Sequence, residues 1–404
     1  MSRLSTAIAV LRRQGVSALL SRVGERLTAL TGKPPSLVHY DDVLAVDWST
    51  PHPAVASPIT VADGPLTVAW IMSPPGEGSG GHQNLYRFID YLERAGHTVK
   101  IYLYSVRNTS SAAEIRAMTE RSSSYPNLTA SVEWYTDAGV SDDVDAIFAT
   151  GWETAYPAYR DASPARRFYF VQDFEPYFYA VGSDYVLAEN TYRFGFTGVT
   201  AGGWLAGKLH REYGMPTSSF DFGAERENYS LTNRDRRTEL FFYARPVTER
   251  RGFELGAMAL DLFARERPDI RINIAGWDVS RFGLPFAFVN LGSMRVDQLN
   301  AVYNRCAAGL VLSMTNMSLL PLELLASGVI PVVNDGPNNS EVSDNPFIEY
   351  APASPRALAD RLIAVVDRAD QAAHAAAAAA SVSGADWAAS GQHFVSTFER
   401  EMRG

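Results

Sequence analysis

Cysteine and long apolar runs are the scarcest features of this chain of 404 residues. Its single cysteine, Cys306, excludes intramolecular disulfides and cysteine-based zinc sites, and it fits a reducing compartment. No apolar stretch approaches the roughly 18 residues that a membrane-spanning helix needs. Arg12 and Arg13 interrupt the apolar N-terminal segment, so no signal peptide is evident. We therefore expect a soluble, cytoplasmic protein.

Positive charge is in short supply overall, and it is unevenly placed. The formal net charge is −9, which disfavours nucleic acid as the main partner. Residues 1–35 nevertheless carry six basic residues against one acidic residue, which leaves +5 in this segment and −14 in the remainder. Such a basic amphipathic start favours an anionic membrane surface, here the inner face of the membrane, as a partner. The alternative is that it docks on the protein's own acidic body.

Several motifs of common catalytic sites are also missing. The chain has no G-x-G-x-x-G or P-loop spacing, no G-x-S-x-G nucleophile elbow, and no ligand spacing among its seven histidines. "SDDVDA" at 141–146 resembles a metal-binding Asp cluster, but it precedes a strand as an ordinary loop does. We expect neither a metal nor a cofactor.

What the sequence does contain is a regular alternation of strand and helix patterns from Leu66 onwards. This alternation predicts an α/β protein of two Rossmann-like parallel-sheet domains that face a cleft. The predicted divisions are an N-terminal extension and connector (1–64), a first domain (65–216), a polar linker (217–237), a second domain (238–382) and a C-terminal helix (383–404). Residues 32–64, rich in Pro, Ser and Asp, are interpreted as extended connector.

Two loops of the first domain carry candidate acceptor-side residues. "PPGEGSGGHQN" precedes a helix, and its Gly80 and Gly81 allow close backbone approach to a phosphate or sugar, although a merely flexible loop fits equally. "YFVQDFEPYFY" places Gln172, Asp173 and Glu175 directly after a strand, beside aromatic rings. Asp173 or Glu175 there is suited to orient or deprotonate an acceptor hydroxyl. The alternative is a solvent-facing turn.

Two loops of the second domain carry candidate donor-side residues. In "FFYARPVTERRGFE", Arg245 ends a strand, and Arg250 and Arg251 open the next helix. Guanidinium groups suit a diphosphate because they donate paired hydrogen bonds and stay charged. Surface solubility is the alternative, and it explains Arg250 better than Arg245.

The segment "LSMTNMSLLPLELLASGVIPVV" predicts strand, loop, helix and strand. Pro321 fits the first helical position and Gly328 the C-terminal stop. Glu323 then lies in the first turn, where the helix dipole alone is a sufficient reason for a carboxylate. The functional alternative is that Glu323 accepts hydrogen bonds from a nucleotide sugar while N–H groups near Leu319 meet its phosphates.

These second-domain motifs, together with "INIAGW", resemble the nucleotide-sugar domain of family 4 glycosyltransferases, which have the GT-B fold. The fold implies that the C-terminal helix, around Phe394–Met402, crosses back onto the first domain. The resemblance implies that Arg245 and Arg251, with Arg250 as the alternative to Arg251, contact the diphosphate of the donor, and that Glu323 binds the nucleotide ribose. It places Thr315 where the family has a first Glu that contacts the transferred sugar. The implied nucleotide-sugar residues are Gly80, Gly81, Arg245, Arg250, Arg251, Gly276, Leu319, Leu320 and Glu323.

"GGHQN" and "FVQDFEPYFYAVGSDY" further resemble the WsaF-type rhamnosyltransferases. This resemblance implies transfer of L-rhamnose from dTDP-L-rhamnose to a glycan or lipid-linked glycan hydroxyl, with retention and without metal. The implied catalytic residues are Arg245, Arg251, Asp173 and Glu175, and the acceptor-side residues are His82, Gln172 and Asp173. We expect Met317, Leu319 and Leu320 to cover the sugar's methyl group. A non-catalytic binding protein and a GT-B epimerase remain the alternatives.

Overall fold

The computed structural model describes residues 37–50, 61, 63–76, 79–108, 110–317 and 319–403. Within them, two parallel sheets form two domains, as the alternation of patterns predicts. The helices in these ranges are all too short or too polar to cross a membrane. Residues 1–35, on which the membrane-surface hypothesis rests, lie outside the described residues.

The first domain is built on a seven-stranded sheet of order β3-β2-β1-β4-β5-β6-β7, in which every neighbouring pair is parallel. Its strands are β1 (Thr67–Met72), β2 (Thr98–Leu103), β3 (Ser131–Trp134), β4 (Ala146–Ala149), β5 (Arg166–Val171), β6 (Thr197–Ala201) and β7 (Thr217–Phe220). Its helices are α1 (Tyr40–Leu44), α2 (Gly80–Arg94), α3 (Ala112–Arg121), α4 (Trp152–Arg160), α5 (Ser183–Thr191) and α6 (Gly203–Tyr213), with a 3₁₀ turn at Glu175–Phe178. The central strands are almost wholly buried because helices cover both faces of such a sheet.

The second domain has a six-stranded parallel sheet of order β10-β9-β8-β11-β12-β13. Its strands are β8 (Glu239–Tyr243), β9 (Arg271–Ala275), β10 (Val289–Gly292), β11 (Cys306–Val311), β12 (Ile330–Asn334) and β13 (Glu349–Ala351). The helices that follow are α7 (Phe253–Glu266), α8 (Val296–Tyr303), α9 (Leu320–Ala326), α10 (Pro337–Ser340), α11 (Pro355–Val366), α12 (Gln371–Ser381) and α13 (Trp387–Arg403), with a 3₁₀ turn at Glu249–Arg251. Helix α9 has Pro321 in its first turn and stops before Gly328, whose φ of +71° only glycine adopts without strain.

The C-terminal helix α13 belongs to the core of the first domain, although it follows the second domain in the chain. Phe394 and Phe398 lie in the same buried cluster as Trp70 and Phe148 of the first sheet. The rings of Phe148 and Phe398 are 5.6 Å apart, a distance at which aromatic pairs attract. The chain therefore passes between the two domains twice.

Two segments differ from the predicted divisions. Residues 217–220, assigned to the linker, form edge strand β7, whose polar sequence reflects its half-exposed position. The connector 32–64 is not simply extended, because Val38 is buried in the first domain's core and α1 docks beside it. Asp42 of α1 pairs with Arg160 at 2.5 Å, which fixes this segment to α4.

The packing of α13 on the first domain generates a stability prediction. An ideal Cβ at Gly391 would lie 2.3 Å from Cδ2 of Tyr91, so alanine there must displace the ring or the helix. We expect Gly391→Ala to lower the free energy of unfolding by about 1–3 kcal/mol, although alanine is the better helix former. The control is Gly384→Ala, because no atom lies within 4 Å of a Cβ at this position. Equal chemical denaturation midpoints for the two variants would contradict the prediction.

Candidate functional site

The carboxyl ends of the two sheets face each other, and their loops meet across a narrow seam. The Thr315 hydroxyl, in the loop after β11, donates to Asp173 Oδ2 in the loop after β5 at 2.8 Å. Asn316 Nδ2 donates to the carbonyls of Gln172 and Ala201, each at 3.1 Å. Ligands of open parallel sheets bind at this edge, so the candidate site lies along the seam.

The second domain contributes three arginines to this edge. Arg245 follows β8, and Arg250 and Arg251 end the 3₁₀ turn before α7. The Arg250 guanidinium lies over the Phe178 ring at 4.1 Å, with its Nε 3.7 Å from Asp173 Oδ2. Arg251 Nη1 donates to the Ser313 hydroxyl at 3.1 Å. The 3₁₀ turn thus aims two adjacent guanidinium groups at the first domain.

The charge of this arginine cluster is only partly compensated. Burial lowers the pKa of Arg250, Asp173 raises it, and Arg251 and Arg245 lower it again. Among the described residues, Arg250–Asp173 is the only ion pair that involves any of the three arginines. Two guanidinium groups beside one carboxylate, with the third guanidinium, that of Arg245, close to Arg250, leave a positive site that is suited to a polyanionic ligand.

Asp173 is the one candidate of the first domain that meets these arginines directly. Burial raises its pKa, while Arg251, the Thr315 hydroxyl and Arg250 each lower it. Its side chain is only 12% exposed. The second domain therefore contacts the Asp173 carboxylate through the Thr315 hydroxyl and through the positive charges of Arg250 and Arg251.

The structure does not bring Glu175 together with Asp173 in the cleft. Glu175 Oε2 accepts hydrogen bonds from the Trp152 backbone N–H at 2.6 Å and from the Tyr169 hydroxyl at 3.1 Å, inside the first domain. It therefore caps the start of α4. Burial raises the pKa of Glu175, and the neighbouring Glu153 carboxylate raises it further. The expectation that Glu175 meets an acceptor is corrected to a structural role.

His82 is likewise occupied by its own loop. Its Nδ1 lies 2.8 Å from the Ser79 hydroxyl and its Nε2 lies 2.9 Å from the Ser73 carbonyl. Burial lowers the pKa of His82, which favours the neutral ring. The imidazole joins the end of β1 to the start of α2, and neither of its nitrogens is free for an acceptor sugar.

Gln172 holds the start of α2 against the end of β5. Its Nε2 donates to the Gly81 carbonyl at 3.1 Å, and its Oε1 accepts from Asn84 Nδ2 at 3.2 Å. Gly80 is exposed at the first position of α2, with no atom within 4 Å of a Cβ built there. Gly81 and Gln172 are therefore together at the seam, and the surroundings of Gly80 are open.

Glu323 lies in the first turn of α9, where two tyrosines reach its carboxylate. Burial raises the pKa of Glu323 to about 7, and the nearby Glu225 contributes to this rise. The hydroxyls of Tyr229 and Tyr303 lower the pKa of Glu323. Its position agrees with the dipole argument, but the two tyrosines are a feature that the sequence pattern did not reveal.

Gly276 permits a close approach at the end of the second sheet. Its φ is +103°, and a Cβ there would lie 2.6 Å from the Tyr243 ring and 2.8 Å from the Ala244 carbonyl. The turn after β9 consequently packs directly against the residues that lead into Arg245. Glycine is required here for packing beside the arginine cluster.

The apolar residues expected to cover a sugar methyl group are placed elsewhere. Met317 and Leu320 are buried in the core of the second domain, 3% and 8% exposed. Leu319 packs against the first domain's cluster. This expectation is wrong for the present arrangement, because the loop after β11 turns its apolar side chains into the two cores and its polar side chains into the seam.

Sequence reasoning also missed a set of amide side chains that support this loop. The Ser313 carbonyl accepts hydrogen bonds from the Nδ2 atoms of Asn334, Asn338 and Asn339 at 2.9, 3.0 and 3.0 Å. The signal was present in "VNDGPNNS", an amide-rich run directly after β12. Amide side chains that follow a buried strand at the carboxyl edge are positioned to bind a neighbouring loop.

Two protein-family models match this chain, one in each of the two domains that meet at the seam. The model described as WsaF, N-terminal domain, matches residues 127–200, and the model described as WsaF, C-terminal domain, matches residues 238–363. These ranges contain Asp173, the three arginines and Glu323.

A curated relative matches more than half of this chain. The O-antigen biosynthesis protein RfbC of Myxococcus xanthus is 32% identical in an alignment of 284 positions that covers 68% of this chain. This chain spans only 22% of the length of RfbC.

Solved structures share the architecture at low sequence identity. HepE of Anabaena, in complex with UDP, matches with a TM-score of 0.63 and 14% identity over 83% of this chain and 100% of its own. Sucrose-phosphate synthase from Thermosynechococcus elongatus matches with a TM-score of 0.62 and 13% identity over 83% of this chain and 98% of its own. At such identities the likeness shows the fold, and it confirms the expected GT-B architecture.

The environment of Glu323 generates a prediction about pH and stability. Since its pKa rises from 4.5 to about 7 on folding, the folded state holds this proton more tightly than the unfolded state. The stabilising effect is fully present below about pH 4.5 and is lost as the pH rises through 7. We expect the free energy of unfolding to fall by on the order of 3 kcal/mol over this window relative to Glu323→Gln.

Denaturant titrations of wild type and Glu323→Gln between pH 4.5 and 8 measure this difference. The exposed substitution Glu133→Gln is the control, and it should retain the wild-type pH profile. A constant difference in unfolding free energy between wild type and Glu323→Gln across the range would rule out the raised pKa.

Proposed function

Because this chain belongs to the WsaF-type glycosyltransferases of GT-B fold, we propose that it transfers L-rhamnose from dTDP-L-rhamnose to a glycan hydroxyl. The acceptor in this proposal is a precursor of a cell-surface glycan or glycolipid, and the anomeric configuration is retained. The observation that carries the proposal is the cluster of Arg245, Arg250 and Arg251, in which Arg250 and Arg251 lie beside Asp173 across the seam.

The arginines are the proposed diphosphate site. Their partly buried guanidinium groups have one carboxylate as an ion-pair partner in the described part of the chain, so a diphosphate would supply the missing negative charge. Arg251 is already oriented by the Ser313 hydroxyl. Fixed donors of this kind stabilise charge that develops on a leaving group without reorganising during the reaction. In this proposal they neutralise the diphosphate without a metal.

Asp173 and Thr315 are the proposed contacts for the transferred sugar. Thr315 is 1% exposed and donates to Asp173, so a longer acidic side chain at position 315 would meet the Asp173 carboxylate. The carboxylate at this point of the seam comes instead from the first domain. In the proposed reaction Asp173 accepts a hydrogen bond from a sugar or acceptor hydroxyl and thereby orients it.

Glu323 is the proposed partner of the deoxyribose. It lies in the same domain as the arginines, where its carboxylate is within reach of the hydroxyls of Tyr229 and Tyr303. A deoxyribose 3′-hydroxyl would join or replace one of these donors. HepE, a protein of the same fold, has been solved with UDP, which supports a nucleotide diphosphate as the ligand class.

The glycan acceptor is supported by the relative rather than by the geometry. RfbC is described as an O-antigen biosynthesis protein, and this chain aligns with a fifth of it. Rhamnose as the donor sugar is supported by the resemblance of "GGHQN" and "FVQDFEPYFYAVGSDY" to WsaF-type rhamnosyltransferases.

A donor screen tests the proposed function. Full-length protein is incubated with dTDP-L-rhamnose, UDP-glucose or GDP-mannose, with and without a lipopolysaccharide core acceptor, and products are identified by mass spectrometry. We expect an acceptor mass increase of one deoxyhexose with dTDP-L-rhamnose, undiminished by EDTA. Preferred transfer from UDP-glucose would refute the donor assignment, and donor epimerisation without transfer would refute the reaction.

The arginine cluster generates a second test of the same proposal. We expect Arg251→Ala to lower kcat/KM by about 100-fold or more, because it removes a preoriented phosphate donor. Arg250→Ala should cost less, since the Arg250 guanidinium already lies on Phe178 and beside Asp173. Arg116→Ala removes an exposed guanidinium of the first domain and is the charge-matched control. Equal activity of the Arg250 and Arg251 variants would contradict the assignment.

A further inference from the structure

One short loop of the second domain makes most of the polar contacts across the seam. This seam loop, residues 313–317, follows β11 and ends before α9. Thr315, Asn316 and Met317 are 1%, 2% and 3% exposed, although the loop lies between two domains. The docking that buries them therefore involves the first domain as well as the second.

Asn316 makes the contact that is most demanding in geometry. Its Nδ2 donates to two backbone carbonyls of the first domain, at the carboxyl ends of β5 and β6. Its Oδ1 is buried without a hydrogen-bond partner. Because the two hydrogen bonds from Nδ2 are the polar contacts of this amide group and its oxygen has no partner, the two carbonyls determine how the amide is oriented. Asn316 can therefore make both hydrogen bonds only when the ends of β5 and β6 are correctly positioned relative to it.

The base of the seam loop is held rigidly in the second domain. Three amide groups donate to the Ser313 carbonyl, and the Ser313 N–H donates to Asn334 Oδ1 at 2.8 Å. Since the loop is fixed to the second domain at Ser313 and to the first domain at Asn316, a movement of one domain displaces the loop as a unit instead of being absorbed within it.

The same loop is joined to the arginine cluster. The Ser313 hydroxyl accepts from Arg251 Nη1 at 3.1 Å and donates to the Asn316 carbonyl at 2.6 Å. The Met314 N–H donates to the Arg250 carbonyl at 2.9 Å. One hydroxyl group therefore connects a guanidinium of the donor side with the residue that docks on the acceptor side.

We propose that Asn316 is a positioning residue that sets the separation of the two domains at which Arg251 and Asp173 act on one bound donor. This inference rests on the proposed function for the reaction, but the docking of Asn316 on β5 and β6 does not depend on it. If Asn316 no longer contacts the first domain, the second domain keeps its contacts with the nucleotide. The distance between Asp173 and the bound donor is then no longer fixed. Turnover then falls while nucleotide affinity is retained.

The substitution Asn316→Asp tests this role because it keeps the size of the side chain. It replaces the donating NH₂ group by an oxygen that faces two carbonyls, so the docking contact becomes repulsive. We expect kcat to fall by about 10- to 100-fold, the loss that a displacement of about 1 Å produces. The Kd for dTDP, measured by calorimetry, should change less than about threefold. Small-angle scattering of the ligand-free variant should give a larger radius of gyration than that of wild type.

The matched control is Asn345→Asp, which loses one hydrogen bond from Asn345 Nδ2 to Ser381 within the second domain. It should leave kcat, dTDP affinity and the radius of gyration unchanged. Asn316→Ala removes the two donated bonds without adding charge, and it replaces Asn316→Asp in all measurements if the latter does not fold.

Two results would overturn the inference. One is a variant at 316 with the kcat and radius of gyration of wild type. The other is a loss of dTDP affinity as large as the loss of kcat, which would mean that the donor site itself had collapsed. If wild type transfers no sugar from any donor, the proposed function fails, and the scattering comparison alone decides whether Asn316 sets the domain separation.

Discussion

The parallel direction of the strands in the two described sheets is the constraint on which the rest of this structure depends. In a parallel sheet all carboxyl ends emerge at one edge, so each loop that follows a strand is delivered to the same side. Arg245 after β8 and Thr315 after β11 are distant in sequence and lie at the same edge of the second sheet for this reason, while Asp173 after β5 lies at the corresponding edge of the first sheet and meets Thr315 there. The chemistry of the seam is a consequence of strand direction before it is a consequence of any particular side chain.

The same constraint explains how much of the protein follows from its sequence. The two sheets, the helix after Pro321 and the residues at strand ends are predictable because period, caps and strand ends are local signals. The partners of those residues are not local. Glu175 has the appearance of a cleft residue, but it is bound by Trp152, which comes earlier in the chain after a different strand. Met317 has the appearance of a ligand contact and is a core residue.

The sheet edge at β7 and the segment before the first domain also differ from the prediction, and the physical reason is similar. Strand β7 is polar because it lies at the rim of its sheet, and a polar strand cannot be told from a loop by its hydrophobic pattern. Val38 belongs to the first core through contacts with residues that come much later in the chain. Wherever burial is decided by a distant segment, local periodicity carries no information about it.

Helix α13 has a consequence for the order in which this protein is made. The apolar face of the first sheet is completed by Phe394 and Phe398, which follow the second domain in the chain and are therefore synthesised after it. While the second domain is being translated, the first domain therefore presents an uncovered aromatic surface next to Trp70. Domains of most proteins fold one after another as they emerge, but here the first domain is completed only after the second domain has been synthesised. During synthesis, completion of the first domain's core therefore requires that the chain has been extended through the second domain to α13.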